Sequence, residues 1–556
     1  MSRQPIQLPL PGFETARARW RHDYEAQAGN APEVRNRSGI PVEPLYTPDD
    51  WSAERYMEVL GFPGEPPMTR GIYPSMHRGR RWTQRQLVGF GTPEDTNRRL
   101  KAVLAAGGSG TSLAPCNSFF RGYDCDEVDP LLLGTCGAVV NTVEDMDACF
   151  RDIDIGGMST ALNDPVPFTQ LAMLLAVARR RGVPWSRITG TSNQSDYISH
   201  FAANHMFFRI ALAGSRRILL DQIEFCRTHV PGWNPVSIVG QHMQQGGATP
   251  AEAMGLTLST ALQYAEDCRE RGIDLDAVLP RFTFFFDISI SFFEEIAKFR
   301  AMRRLYARTM RDRFGAQNPE CWRMRFSVQS AGNTLTTQQP QVNIVRAGLE
   351  ALAAALGGAQ SIHLCSYDEG HGLPTPESSR MALRTQQVIA YETGVTRTVD
   401  PLGGSYYVEA LTNQLETAIA GLIDDIDARG GMAEAIASGW LDEQINVARI
   451  RNQQALDSGE KTLVGVNKFT IPPDEEAPIT VHKAKVDEWS GRRADYLRDY
   501  RARRDAARWA EAMAHIEDAW RRGENMVPVL INAVQNGVTM GECHQAMRQA
   551  QDWSFR

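Results

Sequence analysis

The sequence predicts an α/β protein whose main domain is a closed (β/α)8 barrel. From about residue 110, short segments typical of strands recur along the chain, and most are separated by amphipathic stretches of helix length. Strands that alternate with helices form parallel sheets, and eight such repeats are typical of a barrel. The eight predicted strands lie at residues 110–115, 137–142, 158–163, 187–192, 236–241, 281–286, 324–329 and 361–366.

Hydroxyl side chains recur in these strands. The inward positions of such a barrel normally carry Val, Ile and Leu, which fill its centre. Hydroxyls that face inward would leave a polar core through which an elongated ligand can pass, whereas hydroxyls that face the helices would satisfy local hydrogen bonds. Both interpretations are open for the residues concerned, which are Ser112, Ser159, Thr189, Ser237, Thr283, Ser327 and Ser361.

Three further regions flank the predicted barrel domain, which spans residues 61–400. Residues 1–60 are polar and contain several prolines, which predicts an extended arm. Residues 401–470 have helical spacing with paired glycines and extend the barrel domain. Residues 471–556 begin with a proline-rich acidic hinge and continue as a charged helical segment, whose apolar stripe is expected to pack on a neighbouring element or a partner.

Composition limits the classes of function. The formal net charge is −7 and 22% of residues are charged, which is typical of a soluble enzyme, and we expect no nucleic-acid partner. The longest apolar runs, such as residues 171–178, are too short to cross a membrane, and we see no signal-peptide pattern. The nine cysteines include no Cys-x-x-Cys pair, so we expect reduced thiols, no zinc site and a cytoplasmic protein.

The common catalytic motifs are absent from the sequence, including the phosphate-binding Gly-Lys-Ser/Thr loop, Gly-x-Ser-x-Gly and His-Glu-x-x-His. Barrel enzymes work at the carboxyl ends of their strands, so polar residues near strand ends are candidates. A single histidine is more often part of a core than a catalyst. Together, however, the candidates predict a polar mouth that orients reactive species made by a cofactor. They are His242, Arg281, Gln329, Gln360, Asp368 and Glu369.

An arginine-rich run precedes the predicted strands. Residues 69–90 contain five arginines and no acidic residue, although the chain as a whole is acidic. Guanidinium groups match the geometry of phosphate oxygens, so the run is either an anion site or a solvated basic face.

Motifs in this run and beyond it resemble the large subunit of the adenosylcobalamin-dependent acyl-CoA mutases. That family contains methylmalonyl-CoA, isobutyryl-CoA and 2-hydroxyisobutyryl-CoA mutases, and the resemblance covers roughly residues 45–550 in order. The motifs that carry it include "YPSMHRGRRWTQRQLVGFGT", "RGYDCD", "WNPVSIVGQHMQQGGAT", "LPRFTFFF", "GAQSIHLCSYDE" and "DPLGGSYYVE".

The resemblance implies that the arginine-rich run holds the phosphates of coenzyme A, while the pantetheine arm threads the barrel. The positions that match coenzyme A and substrate contacts are Tyr73, Ser75, Met76, Arg80, Thr83, Arg85, Gln194, Asn234, Arg281 and Thr283. The positions that match cofactor contacts are Gln245, Gln360 and Glu369.

The resemblance also implies the reaction, a radical 1,2-shift of the thioester-bearing carbon. In the family, the Co–C bond of adenosylcobalamin breaks homolytically, and the adenosyl radical abstracts a hydrogen atom from the substrate. His242 is then expected to hydrogen-bond the thioester carbonyl, with Gln329 and Glu369 also in catalytic positions.

A partner subunit is implied as well. The family's cobalamin sits on a domain with an Asp-x-His-x-x-Gly motif, which this sequence lacks. We therefore expect a separate small cobalamin-binding subunit, contacted by residues 471–556, and a heterotetramer.

The substrate pocket departs from the known subtypes of the family. The position of their Tyr, Phe or Ile is Leu87, that of a hydroxyl-binding Asp is Ala114, and that of the carboxylate-binding Arg is Asn204. Burying a carboxylate without a guanidinium partner is costly. We therefore expect a branched, uncharged acyl group, with room for a modest polar substituent near Asn117 or Asn204, and we expect methylmalonyl-CoA to be disfavoured.

Three more family positions are changed, to Gln241, Gln245 and Ser327. Such changes leave two rival interpretations. One is a catalytically silent scaffold subunit, against which the presence of His242 and Glu369 argues. The other is a coenzyme A enzyme on the same barrel that does not use cobalamin.

Overall fold

The computed structural model describes residues 12–29, 44–45, 53–134, 137–202, 210–476, 478–483 and 485–552. Paired strands in these ranges run parallel to each other. They are β1 (Thr83–Arg85), β2 (Thr111–Leu113), β3 (Ser159–Asn163), β4 (Thr189–Asn193), β5 (Trp233–Asn234), β6 (Val236–Val239), β7 (Phe282–Ile288), β8 (Arg325–Ser330) and β9 (Ser361–His363).

The strands close into one barrel. They pair in the orders β2-β3-β4-β5 and β6-β7-β8-β9-β1. β5 and β6 are one strand interrupted at Pro235, which has no N–H for the ladder. After β1, Val88 bridges Leu113, and the N–H of Ala114 donates to the Val88 carbonyl at 2.9 Å. The fold is therefore the predicted (β/α)8 barrel, with β5 and β6 counted as one strand.

The first strand of the barrel differs from the prediction. β1 lies inside the arginine-rich run, whereas residues 137–142 form an isolated bridge and no strand. The reason is local, because the N–H groups of Asn141 and Thr142 donate to the Asp145 carboxylate at 2.9 and 3.0 Å. These bonds cap the following helix, so the same groups cannot join a ladder.

Helices surround the barrel and continue beyond it. Those up to the last strand are α1 (Phe13–Ala28), α2 (Ala53–Val59), α3 (Met76–Gly79), α4 (Pro93–Ala105), α5 (Asn117–Arg121), α6 (Val143–Cys149), α7 (Thr169–Arg180), α8 (Tyr197–Ala202), α9 (Leu212–His229), α10 (Gln241–Gln245), α11 (Pro250–Glu270), α12 (Leu275–Val278), α13 (Phe292–Asp312) and α14 (Val342–Leu356). Those after it are α15 (Pro376–Tyr391), α16 (Tyr406–Ala428), α17 (Met432–Ala437), α18 (Trp440–Asp457), α19 (Val486–Arg503), α20 (Ala506–Arg522), α21 (Met526–Gln535) and α22 (Met540–Ala550).

Part of the predicted extended arm is helical. α1 forms because four residues recur at helical spacing and are buried together, namely Phe13, Ala16, Trp20 and Tyr24. They share a small core with Tyr56 and Phe62. The prediction of an extended chain is therefore wrong for α1 and for α2.

Two arginines of the arginine-rich run bind other parts of the fold. Arg70 forms a buried ion pair with Asp400 at 2.9 Å, and Asp400 also pairs with Arg300 of α13 at 2.5 Å. Arg78 donates to the carbonyl of Arg397 at 2.5 Å. These contacts tie the arginine-rich run to residues far away in the sequence. Arg70 and Arg78 therefore have structural partners.

The C-terminal helices pack on the barrel's own helices. α21 lies against α7 and α9, and Arg493 of α19 forms a buried ion pair with Asp145 at 2.8 Å. The apolar stripe predicted in residues 471–556 thus faces a neighbouring element of the same chain. Across the part of the chain that the structure describes, we find no helix long and apolar enough to span a membrane.

Candidate active site

A cavity of about 380 Å³ lies inside the barrel. Two of the seven strand hydroxyls do not line it: Ser159 accepts a hydrogen bond from Arg85 at 2.7 Å, and Thr189 is exposed at the start of β4. Because the inward side chains are small, the centre of the barrel stays open. The inward interpretation is confirmed for the five hydroxyls in the cavity wall, which are Ser112, Ser237, Thr283, Ser327 and Ser361.

Arg85 brings a positive charge to this cavity. Its guanidinium donates to the Thr111 carbonyl at 2.6 Å and to the Ser159 hydroxyl at 2.7 Å. Burial lowers the pKa of Arg85 to about 10, which leaves it charged at neutral pH, and no carboxylate of the described residues contributes to the shift. A buried cation without a carboxylate partner attracts an anion, so the amino end of the cavity is suited to a phosphate group.

The other predicted coenzyme A contacts lie mainly at the amino end of the barrel. Ser75 is buried and donates to Gln27 of α1 at 3.0 Å, whereas Arg80 is exposed. Of the whole predicted set, Arg85, Gln194 and Thr283 line the cavity. Those placed before or early in the strands are Tyr73, Ser75, Met76, Arg80, Thr83, Asn234 and Arg281.

Two arginines that the sequence analysis missed stand beside this amino-end group. Arg323 stacks over the ring of Tyr73 at 5.5 Å, and Arg325 donates to Asn234 Oδ1 at 3.4 Å. Burial lowers the pKa of Arg325. Their sequence signal is weak because they are isolated residues just before and at the start of β8, with no basic run around them.

The carboxyl end of the cavity is lined by neutral side chains. Leu87 and Ala114 form apolar surface there, and Gly89 lets their segments approach, because a Cβ at Gly89 would lie 2.0 Å from the Ala114 carbonyl oxygen. No carboxylate is found among the described residues that line the cavity. Seven carboxamides supply neutral hydrogen-bond donors and acceptors: Asn117, Asn163, Asn193, Gln194, Gln241, Gln245 and Gln329.

His242 lies next to the cavity. It sits in α10, just after the carboxyl end of β6, and is 2% exposed. Its Nδ1 lies 3.2 Å from the hydroxyl of Ser199 in α8. Its neighbour Gln241 belongs to the cavity wall, whereas His242 itself does not.

The remaining candidates lie away from the cavity wall. Gln360 and Arg281 precede β9 and β7, so including them in the mouth at the carboxyl ends was wrong. The side-chain amide of Gln360 makes hydrogen bonds to backbone groups through both its oxygen and its nitrogen, at 2.8 and 2.7 Å. Beyond the carboxyl end of β9, Asp368 is buried and Glu369 is exposed. Asn204 lies outside the described residues.

His363 lines the cavity and was also missed by the sequence analysis. It follows Ser361 by two residues in β9, and side chains two apart in a strand share a face. Burial lowers the pKa of His363 to about 4, so the imidazole is neutral at physiological pH. The two-residue spacing from Ser361 could have identified His363 as an inward-facing residue from the sequence.

Comparison with known proteins agrees with this architecture. The family model for methylmalonyl-CoA mutase matches residues 35–552. The 2-hydroxyisobutanoyl-CoA mutase large subunit of Aquincola tertiaricarbonis is 38% identical over 541 residues, which cover 95% of each chain. The methylmalonyl-CoA mutase of Rhizobium meliloti (strain 1021) is 37% identical over 519 residues, which cover 92% of this chain and 71% of that protein.

An open polar channel through a (β/α)8 barrel, with relatives named as CoA mutases, defines the class of the protein. It is an acyl-CoA mutase, an isomerase of the intramolecular-transferase type. More particularly, the chain belongs to the methylmalonyl-CoA mutase family, whose reactions depend on adenosylcobalamin.

Proposed function

We propose that this chain is the catalytic large subunit of a mutase that rearranges the carbon skeleton of a branched, uncharged acyl-CoA. The observation that carries the substrate proposal is the neutral carboxyl end of the cavity, with Leu87, Ala114 and seven carboxamides. A substrate carboxylate would find no cation there among the described residues, which costs several kcal/mol. An uncharged chain avoids that cost, and Asn117 can hydrogen-bond a modest polar substituent.

The amino end of the cavity supports coenzyme A as the carrier. Arg85 inside the barrel and Arg80 on its surface offer guanidinium groups to phosphate oxygens. The hydroxyls along the barrel offer hydrogen bonds to the amides of an extended pantetheine arm. We assign Tyr73, Ser75 and Met76 to the same end of the ligand.

Adenosylcobalamin, when bound, supplies the radical chemistry of the shift. The residues present fit its adenosyl part, because Gln245 and Gln329 bring amide groups to the carboxyl end of the cavity, where they can meet ribose hydroxyls. We assign Glu369 to the adenosyl part of the cofactor as well. His242, held at Nδ1 by Ser199, is the proposed hydrogen-bond donor to the thioester carbonyl.

We propose a small cobalamin-binding subunit as the partner, in a heterotetramer that residues 471–556 help to hold. The name of the Aquincola tertiaricarbonis relative, a large subunit, supports this proposal. The eight cysteines that the structure describes are buried and form no disulfides, which suits a reducing compartment such as the cytoplasm.

Reconstitution of the purified chain with a small subunit that carries Asp-x-His-x-x-Gly tests the proposal. We expect the chain alone to bind no cobalamin, and the complex to isomerise an acyl-CoA only when adenosylcobalamin is added. A complex that binds cobalamin and acyl-CoA without turnover would identify a scaffold. Turnover by the chain without cobalamin would identify a different coenzyme A enzyme.

A further inference from the structure

A buried carboxyl group stands directly behind the cavity wall at its carboxyl end. Asp287 lies near the end of β7 and is 1% exposed. Its Oδ1 accepts a hydrogen bond from Nε2 of Gln245, a residue of the cavity wall, at 2.9 Å. Its Oδ2 has no hydrogen-bond partner among the described residues. Burying a carboxyl oxygen without a hydrogen bond costs free energy, so the presence of Asp287 here needs an explanation.

The charges around Asp287 do not neutralise it through a direct ion pair. Lys298 of α13 donates to the backbone carbonyl of Asp287 at 2.8 Å, and its side chain is ion-paired with Glu295 on the same helix. Glu350 of α14 adds a further buried acid nearby. Burial raises the pKa of Asp287 to about 7, against the opposing effects of Gln245 and Lys298.

The contact with Asp287 determines which end of Gln245 meets the cavity. The amide nitrogen of Gln245 is used by Asp287, so the amide oxygen is the end left for a ligand. Gln329 lies opposite Asp287 in the register of β7 and β8, and its Nε2 similarly donates to Cys365 Sγ at 3.5 Å. Two neighbouring glutamines therefore present acceptor oxygens to the same end of the cavity.

The acid at this end of the cavity is Asp287, which lies behind the neutral Gln245 of the cavity wall. Two carboxylates in direct contact would repel each other, so the amide keeps an acceptor at the cavity without a second charge.

We propose that Asp287 is a positioning residue that holds Gln245 with its amide oxygen toward the cavity, so that Gln245 and Gln329 accept hydrogen bonds from an aliphatic hydroxyl. The hydroxyl comes from the acyl group or from the ribose of the cofactor, because both have the same chemistry. This inference rests on the proposed function for the identity of these ligands.

The test measures binding to the full chain by calorimetry, with two pairs of ligands that differ in hydroxyl groups. One pair is 2-hydroxyisobutyryl-CoA and isobutyryl-CoA, and the other is adenosine and 2′,3′-dideoxyadenosine. In wild type, we expect at least one hydroxylated ligand to bind more tightly than its partner. The pair that shows the preference identifies the source of the hydroxyl.

The side chain of the Asp287→Asn variant can donate a hydrogen bond to Gln245 as well as accept one. The Gln245 amide can therefore adopt either of its two flipped orientations. We expect the preference for the hydroxyl to fall by roughly 3- to 10-fold, the scale of one neutral hydrogen bond. Adding Gln245→Glu to this variant restores the preference, because a carboxylate presents an oxygen in either orientation. A merely structural defect at Asp287 would not be rescued in this way.

Two further variants keep the test decisive. Gln245→Met leaves Asp287 untouched and should lose the preference, even if Asp287→Asn folds poorly. Glu350→Gln changes a nearby buried acid that bonds Thr334 and should keep the preference. The inference is overturned if Asp287→Asn or Gln245→Met keeps the wild-type preference, if Gln245→Glu fails to restore it, or if wild type shows no preference in either pair. Because binding needs no turnover, an inactive complex would refute the proposed function without deciding this test.

Discussion

The backbone N–H of Leu87 donates a hydrogen bond to Nδ1 of His363 at 2.9 Å. Since Nδ1 accepts this bond and the low pKa keeps the ring neutral, the ring proton is on Nε2. His363 thus fixes the backbone at Leu87, a residue of the cavity wall, and it also adds a neutral donor to that wall. The shape of the pocket at Leu87 therefore depends on a residue of the last strand.

We predict that His363→Phe weakens both the fold and the selectivity. The Leu87 N–H would lose its acceptor, which costs about 1–3 kcal/mol of unfolding free energy. Thermal melting and kcat/KM for several acyl-CoAs measure the two effects. His22→Phe, at an exposed histidine of α1, is the control and should change neither. Unchanged melting and selectivity in His363→Phe would show that the contact is unimportant.

Arg85→Ala should raise KM for the acyl-CoA by roughly 10- to 150-fold, because it removes a charge-assisted phosphate contact of about 1.5–3 kcal/mol. Arg80→Ala should also raise KM for the acyl-CoA. Arg81→Ala is the matched control from the same run, since that guanidinium stacks on Tyr391 at 4.3 Å. If KM stays at the wild-type value in both test variants, Arg80 and Arg85 do not bind the phosphates of coenzyme A.

His242→Gln should fold normally and lower kcat by about 100-fold, the scale for removing one oriented transition-state donor. KM should change little, because the lost interaction strengthens in the transition state. Ser199→Ala should give a smaller loss of kcat, since it removes the group that holds Nδ1. Steady-state kinetics of the reconstituted complex would contradict this role if His242→Gln were fully active.

The stability of the protein should depend on pH through Asp287. Its pKa in the folded state is about 7, above that of an exposed Asp. The folded state therefore holds the proton more tightly than the unfolded state between about pH 4 and 7, so stability falls as pH rises through this window. Asp287→Asn removes this loss, and its melting temperature should rise relative to wild type from pH 4 to 8. A difference that stays constant with pH would mean that Asp287 does not titrate there.

The sequence predicted the barrel and allowed a polar channel, because both depend on local patterns. Alternation of strands and helices gives the barrel, and a hydroxyl at a regular strand position gives the channel, as Ser237 and Ser361 show. β1 escaped prediction because it has only three residues, all polar. Its place as a strand depends on pairing with β9, nearly 280 residues further along the chain.

The parts of the site that were missed depend on tertiary contacts. Nothing next to Arg70 in sequence indicates its buried partner Asp400, so its charge resembled that of an anion site. Asp287, in β7, gave no signal because its importance comes from the contact with Gln245, which lies in the helix α10. Gln360 and Arg281 were assigned to the carboxyl ends of the strands, although each directly precedes its strand and therefore lies at the amino end.

The substrate proposal predicts the effect of filling the pocket. Leu87→Phe should reduce the space at the carboxyl end of the cavity and lower kcat/KM for the bulkiest branched acyl-CoAs most, because overpacking is destabilising. Leu87→Met, of similar volume, is the control and should keep the wild-type order of substrates. A uniform loss across all acyl chains in Leu87→Phe would contradict a role in selectivity.

The most direct test of the central claim is a comparison of kcat/KM for isobutyryl-CoA, bulkier branched acyl-CoAs and methylmalonyl-CoA in the reconstituted complex. We predict that an uncharged branched acyl-CoA is the best substrate and that methylmalonyl-CoA is at least about 100-fold worse, because its carboxylate would be buried without a cation. Methylmalonyl-CoA as the best substrate would contradict the account of the pocket.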